Sequence, residues 1–233
     1  MQIDILSGGA AQGLVNALAL QFKAETGCDI AGTYSAVGSM RDKLIAGATA
    51  DLVILTSALI AELAHEGHVT ESSVVDIGVV RTGIAVRDSD PKPPIGDAPQ
   101  LRAALDAADA VYFPDPKLAT AGIHFARVLA ALGIDTELAP RLRPFPNGAT
   151  AMRELAAART ARPIGCTQVT EILATPGVSL VGRLSGEFEL ATIYTAAVVT
   201  RAGRPREARH LAAMLTSEAV RHVRTRVGFE PLG

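Results

Sequence analysis

The sequence predicts an α/β protein built as two lobes, and three observations carry that prediction. Short apolar runs (Ile3–Leu6, Leu52–Leu55, Ala110–Phe113) are each followed by a turn and then by apolar residues at helical spacing. That β-then-α alternation implies a parallel sheet with helices on its faces. Two long strand-like segments, near 77–87 and 190–200, separate two groups of such units. The simplest path is a pair of α/β lobes joined by two crossing strands, with residues 1–82 and 190–233 in the first lobe and 83–189 in the second. Finally, Asp88–Pro99 carries Pro91, Pro93, Pro94 and Pro99, which reads as a rigid connection after which the alternation restarts. Sheets of this kind bind ligands outside the carboxyl ends of their strands, where helix N-termini point, which predicts a cleft between the lobes.

In the first lobe, strand Ile3–Leu6 ends in Ser7-Gly8-Gly9. Leu14, Ala17, Leu18 and Phe22 then mark a helix that Gly27 stops. Asp29–Tyr34 alternates as a strand, Ser35–Ser39 is a turn, and helix Met40–Ala46 ends at Gly47. Leu52–Leu55 is a continuous apolar strand of the kind buried on both faces, followed by helix Leu59–Glu66 and Gly67. In the second lobe the pattern predicts helix Leu101–Ala107, strand Ala110–Phe113, turn Asp115–Thr120 and helix Gly122–Leu132. An irregular Pro140–Pro146, helix Thr150–Ala158, and strands Ile164–Val169 and Ser179–Val181 follow. Helices Glu207–Leu215 and Glu218–Val227 close the chain.

Composition removes several classes of function. With 233 residues, 48% hydrophobic and 20% charged, the chain can bury a core. A net charge of −2 and a pI near 6.2 leave no electrostatic footprint for a nucleic-acid partner. No apolar run reaches the roughly 18 residues of a membrane span, so no membrane insertion is expected. Cys28 and Cys166 are too few for a disulfide framework or a zinc site, and His65, His68, His210 and His222 lack metal-ligand spacing. The expectation is a monomer with no cofactor and no metal. Met1–Leu6 reads as a strand with no basic leader before it, which predicts a cytoplasmic location, or a periplasmic one if a leader was removed.

The candidate ligand residues lie at the strand ends. Ser7, Gly8 and Gly9, and then Ser35, Gly38 and Ser39, sit after a strand and before a helix. Small residues there let backbone N–H groups reach an anion, and hydroxyls add donors. The alternative is that they simply form tight turns and helix caps. Gly8 and Gly13 have phosphate-loop spacing, but Leu14-Val15 stand where Lys and Ser/Thr are required, so a nucleotide loop is rejected. Arg41 is the best-placed cation for a carboxylate, its plainer role being a solvated helix charge. In the second lobe, Thr120 can cap a helix, Ala121 and Gly122 allow close backbone access, and a neutral His124 in the first turn could donate or accept a proton. His124 could equally be a packing histidine. Asn147-Gly148 precedes another helix with the same anion-facing logic. Gln168 shares a strand face with Cys166 and could hydrogen-bond a carboxylate or amide. Cys166 has no basic neighbour in sequence and reads as a small buried hydrophobe. The Arg-rich segment 201–209 reads as a solvated helix face.

These residues resemble the type II periplasmic solute-binding proteins, in particular the molybdate-receptor-like group. The resemblance runs through Gln21-Phe22-Lys23-Ala24-Glu25-Thr26-Gly27, through Ile45–Ile54, and through Leu211–Pro231 with Leu215-Thr216-Ser217 and Val227-Gly228-Phe229. It covers essentially the whole chain and implies two hinged lobes closing over a small anion. By the same resemblance, Ser35 or Ser39 matches the second-loop serine, Ala121-Gly122-Ile123 a backbone-donor element, and Asn147-Gly148 a backbone contact. Two positions depart from it. Gly13 stands where the first-loop serine falls, although Ser7 is nearby, and Gln168 replaces a tyrosine. Those losses suit an organic carboxylate better than a tight tetrahedral-oxyanion cage.

The first expectation is therefore a solute-binding protein that captures an oxyanion or an organic di- or tricarboxylate, its partner an ABC-transporter permease if it is exported. The alternative is an isomerase, because the same structural group includes aconitate isomerase, which shifts a proton along an allylic tricarboxylate. His124 would then be the catalytic base. A ligand-sensing regulatory domain is least favoured, since no DNA-binding segment is attached.

Overall fold

The structure is a computed structural model describing residues 1–232. The chain divides into two compact units. Met1–Val80 with the chain from Thr192 onward forms the first, and Arg81–Ala191 the second.

In the first unit, β1 (Gln2–Gly8), α1 (Gln12–Thr26), β2 (Asp29–Ser35), α2 (Val37–Ile45), β3 (Leu52–Thr56) and α3 (Ser57–His65) alternate before β4 (Val75–Arg87) carries the chain onward. The strand order is β2-β1-β3-β9-β4, where β9 (Ala191–Val198) is the returning strand. β1 is parallel to both neighbours and β9 is antiparallel to β3. β3 occupies the middle, which is why Leu52–Leu55 is unbroken hydrocarbon: all four residues are buried. α1 turns Leu14, Val15, Leu18 and Phe22 inward at helical spacing. It stops at Gly27, whose φ of 70° is left-handed and whose N–H closes on the Lys23 carbonyl.

The second unit holds α4 (Ala98–Asp106), β5 (Ala110–Pro114), α5 (Thr120–Ala131), α6 (Asp135–Leu138), β6 (Leu142–Phe145), α7 (Gly148–Ala156), β7 (Pro163–Gln168), α8 (Val169–Leu173) and β8 (Val178–Arg183). β5 lies between β6 and β7, parallel to both. β4 pairs antiparallel with β7 on one side and β8 on the other. The two-residue period of the strands sorts side chains onto two faces. Ile84, Val111, Phe113, Ile164 and Cys166 pack with α4 and α5, whereas Ala85 packs with Met152, Leu155 and Ile172 of α7 and α8. After β9, helices α9 (Pro205–Thr216) and α10 (Arg221–Arg226) complete the first unit. Among the described residues, no helix is long and apolar enough to cross a membrane.

Several segments differ from the sequence reading, among them the expected turn Ser35–Ser39, whose residues Val37–Ser39 already belong to α2. Pro140–Pro146 is not irregular throughout, because Leu142–Phe145 forms β6, the last strand in the order. An edge strand tolerates Pro144, which has no N–H to give the ladder. The connection reaches only to Asp97, whose carboxylate caps α4 by accepting the Gln100 N–H at 2.8 Å. Pro99 falls in the first turn of that helix, where its missing N–H has no intrahelical partner to lose. The short helices α6 and α8 carry too few residues to show a period.

Candidate functional site

In the first unit β1, β2 and β3 are parallel, so their carboxyl ends share one edge of the sheet, and α1, α2 and α3 begin there. Gly8 and Ser35 are register partners at that edge. A short 3-10 turn, Gly9–Ala11, leads from Gly8 into α1. α2 starts after Ala36 and α3 after Thr56, and neither start has a side-chain cap or an acidic residue in its first turn. Their leading N–H groups, among them those of Val37, Gly38 and Ser39, have no intrahelical acceptor and carry the positive end of the helix dipole.

In the second unit α6 and α8 also lack a side-chain cap but carry acids in the first turn, so α5 is the start that repeats the pattern. α5 follows Ala119, again with no side-chain cap and no acid in its first turn. Gly122 is buried, and a Cβ there would meet the backbone oxygens of Pro114 and Asp115, so only glycine fits. These bare starts contrast with α4, which Asp97 caps, and α7, where Asn147 Oδ1 accepts the Thr150 N–H at 2.8 Å.

The structure corrects one sequence expectation and gives several other candidate residues partners within the protein. Thr120 does not cap α5; it is the first helical residue, and Ala119 holds the cap position. The start of α7 at Asn147-Gly148 is already served from within the protein. Glu171 accepts the backbone N–H of Ala149 as well as that of Gln168, and Thr167 Oγ1 donates to its Oε2 at 2.6 Å. The cradle is tight, since a Cβ on Gly148 would collide with Glu171 and Thr167. Arg41 lies 3.7 Å from Glu62 and 3.8 Å from Asp42, near enough for charge attraction but not for a hydrogen bond, and its buried Nε has no hydrogen-bond partner among the described residues. The Ser7 hydroxyl is fully buried and donates to the Gly8 carbonyl at 2.9 Å. His124 Nε2 lies 2.8 Å from the Phe188 carbonyl, which can only accept, so Nε2 carries the proton and Nδ1 keeps its lone pair in the neutral ring.

Gln168 ends β7 at 2% exposure, and neither its Nε2 nor its Oε1 has a partner among the described residues. A buried, unpaired polar group costs about 1–3 kcal/mol. Burial pushes the Cys166 thiol well above its ordinary range, so this neighbour is no nucleophile near neutral pH. Sequence reasoning missed four residues. A Cβ on Gly8 would lie 3.0 Å from Tyr194 Cε1, which puts that buried ring at the first unit's strand ends. Thr56 opens α3 with the same strand-then-hydroxyl pattern as Ser7 and Ser35, a signal that was available. Thr82 and Thr170 are buried with unpartnered hydroxyls, a fact that no local pattern encodes.

Glu171 yields a pH prediction. Its carboxyl is 7% exposed, and burial raises its pKa above 4.5 despite the Thr167 and backbone hydrogen bonds. The folded state therefore keeps a proton that the unfolded chain releases as pH passes about 4.5. Stability from this group is complete below that pH and declines as pH rises toward the folded pKa. Glu171→Gln keeps an oxygen for the backbone donors, so urea unfolding between pH 4 and 8 should show a flatter stability profile for the variant. Parallel profiles would remove Glu171 as the source.

Comparison with known proteins agrees with this architecture. The chain is 26% identical over 224 residues to an aconitate isomerase from a Pseudomonas species, covering 93% of this chain and 82% of that one. It is 27% identical over 197 residues to the Escherichia coli molybdate-binding protein ModA, covering 82% and 75%. Among solved structures, the periplasmic molybdate-binding protein of Azotobacter vinelandii superposes with a TM-score of 0.83 at 15% identity, over 99% of this chain and 100% of that one. The sulfate-binding protein SubI of Mycobacterium tuberculosis gives 0.78 at 19% identity, over 100% and 87%. The family profile described as bacterial extracellular solute-binding protein spans residues 3–230, and with two α/β units built from parallel strands and bare helix starts, the chain belongs to that family.

Proposed function

We propose that this protein captures a small anion at bare helix starts and delivers it, outside the cytoplasm, to a membrane permease of the ABC-transporter type. One observation carries the reading. The helix starts at the carboxyl ends of β2, β3 and β5 have neither a capping side chain nor an acid in the first turn, whereas Asp97 and Asn147 cap α4 and α7. Uncapped N–H groups with the positive dipole end behind them attract negative charge. The proposed contacts of the first unit are Gly8, Gly9, Ser35, Gly38 and Ser39; those of the second, taken by itself, are Ala121, Gly122 and Gln168. The similarity to molybdate- and sulfate-binding proteins supports the same class of ligand.

Thermal unfolding with sulfate, molybdate, malate, citrate or tricarballylate tests it. A ligand at one hundred times its Kd adds about 2.7 kcal/mol to folded-state stability, which raises the melting temperature by several degrees. If no anion shifts the transition, the capture reading fails.

A second reading, proton transfer on an unsaturated tricarboxylate, is favoured by the aconitate isomerase similarity and by His124, whose Nδ1 lone pair suits a base. Ultraviolet absorbance during incubation with cis- or trans-aconitate would reveal turnover. His124→Ala should then lower the rate by at least about a hundredfold while anion-induced stabilisation persists. A wild-type protein that leaves both isomers unchanged would rule this reading out.

A further inference from the structure

The capture reading leaves a buried polar cluster in the second unit only partly explained. Thr82 and Gln168 are register partners in the antiparallel β4–β7 ladder. Their side chains therefore stand side by side on one sheet face, with Cβ atoms roughly 4.5–5.5 Å apart. Thr82 is 0% and Gln168 2% exposed, and the Thr82 Oγ1 and both ends of the Gln168 amide lack partners among the described residues. A mutual Thr82–Gln168 bond would satisfy one end of the amide at most. On the same face the row continues into Ile84 and Cys166, which belong to the apolar core, so no other polar side chain of these two strands completes the pairing.

The chemistry of an amide limits what can complete it. Nε2 donates and Oε1 accepts, so a matching ligand must offer an acceptor and a donor. A fully ionised tetrahedral oxyanion or a plain carboxylate offers acceptors only. It would satisfy Nε2 and set its lone pairs against those of Oε1. A hydroxycarboxylate offers both, with carboxylate oxygen accepting from Nε2–H and hydroxyl hydrogen going to Oε1. The Thr82 hydroxyl can take either role beside them. Burial removes bulk water as a competing partner, so the match is felt in affinity.

We propose that Gln168 and Thr82 form a specificity subsite that selects, among small organic anions, those bearing a hydroxyl next to a carboxylate. The proposal rests on the anion-capture reading and names its ligand class.

Isothermal calorimetry on the full chain tests it with two pairs of equal charge that differ by one hydroxyl: malate against succinate, and citrate against tricarballylate. The hydroxylated member of at least one pair should bind roughly tenfold or more tighter. In Gln168→Leu that advantage should fall below about threefold. Thr82→Val, nearly isosteric, should also reduce it and guards against a folding defect in the first variant. Equal affinities within both pairs, or an advantage undiminished in both variants, would overturn the proposal. Binding of sulfate or molybdate alone would also overturn it while leaving anion capture standing. If no anion binds at all, both readings fall together.

Discussion

Gly8→Val is expected to lower anion affinity by about a hundredfold or more, while the variant still folds. A Cβ at this position would lie 2.6 Å from Val37 Cγ1 and 3.0 Å from Tyr194 Cε1. Neither contact is with backbone, so the chain can yield, but what yields is the first residue of α2 or a tyrosine that is 2% exposed and packed edge-on to Phe229. Overpacking of that kind costs about 1–3 kcal/mol. The loss of function should be larger than the loss of stability, because donors displaced by about an ångström no longer converge on the charge they stabilise. Calorimetric titration with whichever of sulfate, malate or citrate stabilises the parent protein, beside urea unfolding of the same variant, separates the two effects. Parental affinity in Gly8→Val would show that the β1–α1 turn takes no part in binding.

Phe125→Ala should destabilise the second unit by about 3–5 kcal/mol. Phe125 is 0% exposed, and its ring meets Phe113 at 5.5 Å and 63°, an edge-to-face contact that ties α5 to β5. Truncation removes that contact and opens a cavity beneath the same helix that carries the bare N-terminus and His124. The two units have separate cores, so the expected urea transition splits. Hydrogen exchange should collapse across residues 81–191 at lower urea than across β1 and β3. A single shift shared equally by both units, or one below 1 kcal/mol, would contradict this assignment of the core.

Much of the alternation could be read directly, because apolar periodicity is a local property. Leu52–Leu55 had to be a central strand, and Gly27 had to end a helix, since each requirement is met within a few residues. β6 escaped because Pro140, Pro144 and Pro146 mask a four-residue strand that pairs, among the described residues, with β5 alone, some thirty positions earlier. The candidate site divides in the same way. Ser35 ends β2, and Gly38, Ala121 and Gly122 fall in the first turns of α2 and α5, helices that start without a side-chain cap. Asn147 and Ser7 bond within their own segments, to the Thr150 N–H and the Gly8 carbonyl, whereas the nearness of Arg41 to Glu62, at 3.7 Å, is a pairing that no local pattern reveals.

From the sequence alone come the fold class, the double crossing between two α/β groups and the positions of the strand-end turns, because periodicity, glycine stops and turn residues act over short range. Only the tertiary structure decides which polar groups are already spent. Glu171 reaching the start of α7, His124 Nε2 bound at Phe188, and Thr82 beside an unpaired Gln168 all depend on pairings between residues 22 to 86 positions apart or on the turn of one helix against another. A hydrogen-bonding group becomes available to a ligand when the rest of the fold has left it without a partner, and that is a property of the assembled unit rather than of any segment.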